Sequence, residues 1–176
     1  MTLAELRALD QPAFNAAFGG VFEHSPWVAA QAFAAGPFAS VDALHQAMMR
    51  AVHDAPHADQ LQLLRAHPEL AGKAAVRGEL TVDSTQEQSG AGLDRCSPEE
   101  FAQISALNAR YHATFGFPFI VAVKGLDRAA ILREFARRAD NAPALEFAEA
   151  LTQVARITRF RLDMLLGAQG PSPSTR

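Results

Sequence analysis

Ser97-Pro98-Glu99-Glu100, followed by Phe101-Ala102-Gln103-Ile104-Ser105-Ala106-Leu107, carries a specific helix start. A serine at the cap position accepts from the backbone N–H three residues on, Glu100 returns the bond, and a proline at the first helical position removes no N–H that the helix needs. Similar start signals recur at Thr2 with Glu5, at Ser25 before Pro26, and at Ser40 before an apolar-periodic run. They predict about eight helices. The candidate spans are 2–9, 11–18, 26–35, 41–53, 57–66, 85–91, 98–114, 127–139 and 143–166, some of which merge or fray. No alternating polar and apolar run suggests a sheet, so the expected fold class is all-α. The expected organisation is a single compact multi-helix domain over 1–167, with a flexible C-terminal tail over 168–176 that is rich in turn formers.

One stretch stands apart. Phe117 to Val123 is apolar, contains Pro118 and lies between Gly116 and Gly125, as a buried strand would. A lone strand has no ladder, so its backbone donors and acceptors need helix ends, water or a polar ligand.

The chain has 176 residues, is 49% hydrophobic and 20% charged, and carries a formal net charge of -3, which argues for one globular domain and against nucleic acid as a partner. Cys96 is the only cysteine. No intramolecular disulfide or thiolate metal cluster follows from it, and a reducing compartment, the cytoplasm, is expected. Met1 to Glu5 lacks a basic start before an apolar stretch, and no window reaches the roughly 20 apolar residues of a membrane span. No glycine-rich nucleotide loop is present, so no cofactor is expected. His53 and His57 have metal-like spacing, but Pro56 breaks their shared face. They read as surface histidines, and no metal is expected.

Three segments carry candidate chemistry: His67-Pro68-Glu69-Leu70-Ala71-Gly72-Lys73, Ser84-Thr85-Gln86-Glu87-Gln88, and Phe117 through Gly125. The proline after His67 biases it away from the helical region, so the preceding helix should end by Ala66 and leave the imidazole at a boundary. A histidine there serves either the negative end of a helix dipole or acid–base chemistry near neutral pH. Ser84-x-x-Glu87 reads either as a capping box, with Ser84 at the cap, or as a pocket wall. Gly90 and Gly92 weaken any helix there and suggest close approach. Arg161 falls within the apolar stripe Phe147, Leu151, Val154, Ile157 and Leu165. It either snorkels or pairs with a buried carboxylate, or it grips a ligand in a bidentate way. Gly19 to Trp27 reads as a tight connection, with Glu23 and His24 as second-rank pocket candidates. Arg137-Arg138 reads as a solvated helix face, and Cys96 lacks a recognisable triad.

Together these segments, from Gly19-Gly20 to Arg161, resemble the 2-oxo-4-hydroxy-4-carboxy-5-ureidoimidazoline (OHCU) decarboxylase family, whose members complete the conversion of urate to allantoin. The resemblance implies a carboxy-lyase that needs neither metal nor cofactor and converts OHCU to (S)-allantoin and carbon dioxide. It implies His67 and Glu87 as catalytic residues. It also implies a substrate pocket from Pro68, Ser84, Thr85, Gln86, Glu87, Gln88, Phe119, Ile120, Val121, Ala122, Val123 and Arg161. The expected partner is the small-molecule substrate, with a homodimer left open. The competing class is a catalytically inactive helical module that binds a ureide or a protein.

Overall fold

The computed structural model describes residues 1–167; the tail expected over 168–176 lies outside them, and the side chains of Lys73 and Ala74 are not described. Helices follow in the order α1 (Leu3–Arg7), α2 (Gln11–Phe18), α3 (Trp27–Ala32), α4 (Val41–Asp54), α5 (His57–Ala66), α6 (Lys73–Val76), α7 (Val82–Gly90), α8 (Pro98–Phe115), α9 (Arg128–Arg138) and α10 (Pro143–Leu166), with 3-10 turns at Phe33–Ala35 and Leu93–Arg95. No strand forms among the described residues, so the fold is all-α.

The capping boxes at Thr2 with Glu5 and at Ser97 with Glu100 both form, and Ser40 accepts from the Ala43 N–H. Asp10 and Asp127 cap α2 and α9 in the same way. Ser25 does not: α3 starts at Trp27, with Pro26 at the cap position and no side-chain cap bond. The short α6 was not expected, because four residues are too few to show a period.

The chain divides into two units, one from residues 1–60 with the chain from 157 onward, the other from 61–156; the divisions fall inside α5 and α10. In the first unit, Leu44, Met48 and Val52 recur every four residues on α4, which puts them on one buried face. The Phe14 ring lies 4.8 Å from Phe18, 5.3 Å from Phe33 and 6.0 Å from Phe38. The last part of α10 buries Ile157, Leu162 and Leu166, whereas Leu165, read into the apolar stripe from sequence, is exposed.

Tyr111 organises the second unit. Its ring meets Phe117, Phe119 and Phe135 edge-on at 5.9, 5.5 and 5.7 Å, and Phe119 stacks on Phe135 at 3.9 Å. Offset and edge-to-face pairs of this kind add to the area they bury. They fix the extended segment against α8 and α9.

Candidate active site

α5 ends at Ala66, as the His-Pro step predicts, and His67 follows half-buried, its backbone N–H donating to the Leu64 carbonyl at 3.2 Å. The buried Leu63 and Leu64 anchor the last turn of α5. From that turn Arg65 Nε donates to the Gly116 carbonyl at 2.9 Å. Gly116 caps α8 at φ +74°, a conformation that favours glycine. One bond thus ties the approach to His67 to the start of the extended segment.

Beyond Pro68 the chain turns through Ala71, which has φ +46°. Gln88 Oε1 accepts from the Ala71 N–H at 2.9 Å, and Gln88 Nε2 donates to the Glu69 carbonyl at 3.3 Å. Asn108 Nδ2 donates to the Leu70 carbonyl at 3.0 Å. Gln88 was expected to face substrate; its amide instead serves the loop behind His67.

The second motif needs a correction. α7 begins at Val82, and Thr81 is its cap, with Oγ1 accepting from the Ser84 N–H at 3.3 Å. Ser84 is therefore inside the first turn, and Glu87 lies one turn further on; they do not form a capping box. Thr81 competes well for the cap because it stands just before the first helical residue with extended backbone. On this helix Ser84 and Gln88, four apart, are buried, Glu87 is half-buried, and Thr85 and Gln86 are exposed. Thr85 Oγ1 donates back to the Thr81 carbonyl at 2.9 Å. Of the two glycines, Gly92 is required by its φ of +74°, whereas Gly90 faces open space and does not mark a close approach. A cavity of about 490 Å³ abuts this helix, lined in part by Ala71, Thr85, Gln88, Leu93, Cys96 and Phe101.

The third segment is extended and has no ladder. Phe119, Ile120, Val121 and Val123 are buried and Ala122 is half-buried. Arg138 Nη1 donates to the Ile120 carbonyl at 2.7 Å, and the Ala122 N–H donates to Gln153 Oε1 at 3.0 Å. Protein side chains therefore supply part of the partnership for which the sequence left helix ends, water or a polar ligand open.

Arg138 was read as a solvated residue, yet it is 0% exposed. Its Nε donates to Glu146 Oε1 at 2.9 Å, its Nη2 donates to the same oxygen, and its guanidinium lies 4.6 Å over the Phe119 ring. The Tyr111 hydroxyl also donates to Glu146 Oε1, and Asn141 Nδ2 donates to Oε2 at 2.7 Å. Burial first, then the bond to Glu146, raises the Tyr111 pKa, so the phenol stays protonated and acts as a donor. The signal was present in the sequence: Arg138 continues the spacing of the buried Ile131 and Phe135. Asn108 likewise stands between the buried Ile104 and Tyr111. A positive charge on an apolar stripe needs a partner, and Glu146 is it.

In the first unit, Arg161 is buried as its stripe position predicts. Nη1 donates to Glu23 Oε2 at 2.7 Å and to the Val21 carbonyl at 3.3 Å. The reading as an arginine paired with a buried carboxylate is realised. Glu23 is that carboxylate, whereas His24 is exposed, at φ +49°. His53 and His57 are exposed and sit on different helices.

With this geometry in hand, residues 7–163 match the sequence family described as OHCU decarboxylase. A 2-oxo-4-hydroxy-4-carboxy-5-ureidoimidazoline decarboxylase from Haloferax volcanii is 45% identical over 162 residues, which cover 92% of this chain and 94% of that one. The protein of the same name from Mus musculus is 36% identical over 172 residues, 98% of this chain and 97% of its own. A crystal structure of (S)-allantoin synthase superposes with a TM-score of 0.73 at 27% identity, covering 94% of this chain; this chain spans 54% of that one.

Proposed function

This chain belongs to the OHCU decarboxylase family, and on that premise we propose that it decarboxylates OHCU to (S)-allantoin with His67 and Glu87 as its catalytic pair. The observation that supports the reading is the family match, whose bounds, residues 7–163, enclose all three segments of the site.

OHCU carries a carboxylate and a hydroxyl on one ring carbon, next to a ring carbon in a C=N bond. When the bond to the carboxylate breaks, its electron pair forms a ring double bond and the imine pair moves onto nitrogen. The substrate supplies its own electron sink, so no organic cofactor has to supply one. Carbon dioxide leaves and an enol-like ring remains. Ketonisation with protonation of the ureido-bearing carbon gives allantoin, and delivery of that proton from one face fixes the S configuration.

His67 is the proton donor in this reading. Its place just past the end of α5 puts the ring on a boundary rather than in a packed helix face, and Pro68 limits the backbone beneath it. Glu87 orients His67 or receives the substrate hydroxyl. Ser84, Thr85 and Gln86 contribute hydrogen bonds to ring and ureido groups, while Gln88 holds the loop behind His67. Val121 and Val123 offer backbone amides that alternate with the groups already bonded to Arg138 and Gln153, while Phe119, Ile120 and Ala122 shape the same wall. In the first unit Arg161, oriented by Glu23, carries a planar donor set of the kind that binds a carboxylate or ureido oxygen.

None of the described helices is long and apolar enough to cross a membrane. The proposed setting is the cytoplasm, in keeping with a free Cys96 thiol, and the proposed assembly is a homodimer without a nucleic-acid partner, in keeping with a net charge of -3. Sedimentation of the purified protein reads the assembly.

The deciding experiment generates OHCU freshly from urate and follows carbon dioxide release and optically active allantoin with and without the protein. Acceleration of both is expected. Allantoin binding without acceleration would identify an inactive ureide-binding module instead.

A further inference from the structure

Three consecutive residues of the loop behind His67 are gripped by two side-chain amides. Gln88 on α7 holds the Glu69 carbonyl and the Ala71 N–H, and Asn108 on α8 holds the Leu70 carbonyl. These bonds span 19, 17 and 38 residues of sequence, so neither helix is a local neighbour of the loop. Between them Ala71 adopts φ +46°, which a non-glycine residue keeps only where its surroundings impose it.

Asn108 is the more informative of the two. It is buried, and its Oδ1 has no hydrogen-bond partner among the described residues. The side chain therefore carries an unsatisfied acceptor in order to supply one donor, and a buried acceptor without a partner opposes stability. Leucine, of similar size, would suit this stripe between Ile104 and Tyr111 in every respect except the Leu70 carbonyl. What the asparagine holds, rather than what it packs against, accounts for it.

We infer that Asn108 is a positioning residue for the decarboxylation, acting through the Leu70 carbonyl to set the loop that aims the His67 imidazole. Gln88 ties the same loop to the helix that carries Glu87. The inference rests on His67 as proton donor. A proton donor works only within hydrogen-bond reach of its target, and a misplacement of about 1 Å reduces turnover by about a hundredfold. Binding of the substrate, made by other groups, depends far less on that aim.

The test compares Asn108→Leu and Asn108→Ala with Ile104→Ala, which removes packing from the same helix face but takes no hydrogen bond from the Leu70 carbonyl. Turnover of fresh OHCU is measured at a temperature where circular dichroism shows each variant folded. Both Asn108 variants should lose kcat by about tenfold or more with KM within about twofold of wild type, and Ile104→Ala should keep kcat within about threefold. A folded Asn108→Leu with wild-type kcat overturns the inference. So does an equal kcat loss in Ile104→Ala, or failure of both Asn108 variants to fold, since either makes the role structural. A wild-type protein that does not accelerate allantoin formation, or a His67→Asn variant with full turnover, defeats the functional reading itself and this inference with it.

Discussion

Arg138 and Glu146 form an ion pair in which neither side chain is exposed to solvent, and the same guanidinium donates to the Ile120 carbonyl of the extended segment. A segment with no strand beside it is thus held by a charge paired with Glu146, eight residues away on the next helix. Removing one partner leaves the other charged, buried and uncompensated, which costs about 3–5 kcal/mol. Arg138→Met and Glu146→Leu alone should each lower unfolding stability by about that amount, and the double substitution should recover a large part of the loss. Urea unfolding of the three variants reads the coupling, and additive losses would contradict it.

His67→Asn and His67→Ala should abolish stereospecific allantoin formation while leaving the helical circular dichroism signal unchanged. His67 is half-buried just past the end of α5, and the core beneath it is built by Leu63 and Leu64. Near-wild-type turnover in a folded His67→Ala protein would remove it as the proton donor.

For Glu87→Gln we expect turnover to fall far more than stability. Thr81 caps α7, so a change at Glu87 takes no cap bond from the helix. A lowered melting temperature with unchanged turnover would make Glu87 a structural residue.

Arg161→Lys should act on two readouts. A point-charge ammonium cannot reproduce the planar donor set that meets Glu23 and the Val21 carbonyl, so stability should drop by about 1–3 kcal/mol. If the guanidinium also meets the substrate, allantoin binding should weaken by about tenfold. Unchanged allantoin affinity in a destabilised protein would confine Arg161 to its pair with Glu23.

The pH dependence of folding should carry the signature of the α8 cap. The backbone N–H of Ser97 holds the Glu100 carboxyl below its ordinary value of 4.5, with Arg128 assisting against partial desolvation. A depressed folded pKa means that this contribution is complete above about pH 4.5 and is lost as pH falls through the folded value. The stability gap between wild type and Glu100→Gln should therefore be widest near neutrality and shrink in acid. A gap that stayed constant from pH 7 down to about pH 3 would show that the carboxylate charge contributes nothing at this cap.

The sequence by itself determined most of the helices and several of their starts, though not α6 or the start of α7. Thr2, Ser40 and Ser97 cap what they precede because the bond from a cap reaches only three residues, and Pro68 ends α5 through sterics with its neighbour. It also determined the family, since the three motifs are short and contiguous. Ser84 shows where local reading stops: read as a cap, it lies inside α7, whose start at Val82 makes Thr81 the cap. The partners of the site were decided only by the tertiary structure. Gln88 and Asn108 on the loop behind His67, and Arg138 and Gln153 on the extended segment, make bonds spanning 17 to 38 residues of sequence. Such bonds follow from which backbone groups are buried without a ladder, and no window of sequence contains both a buried carbonyl and the distant side chain that satisfies it.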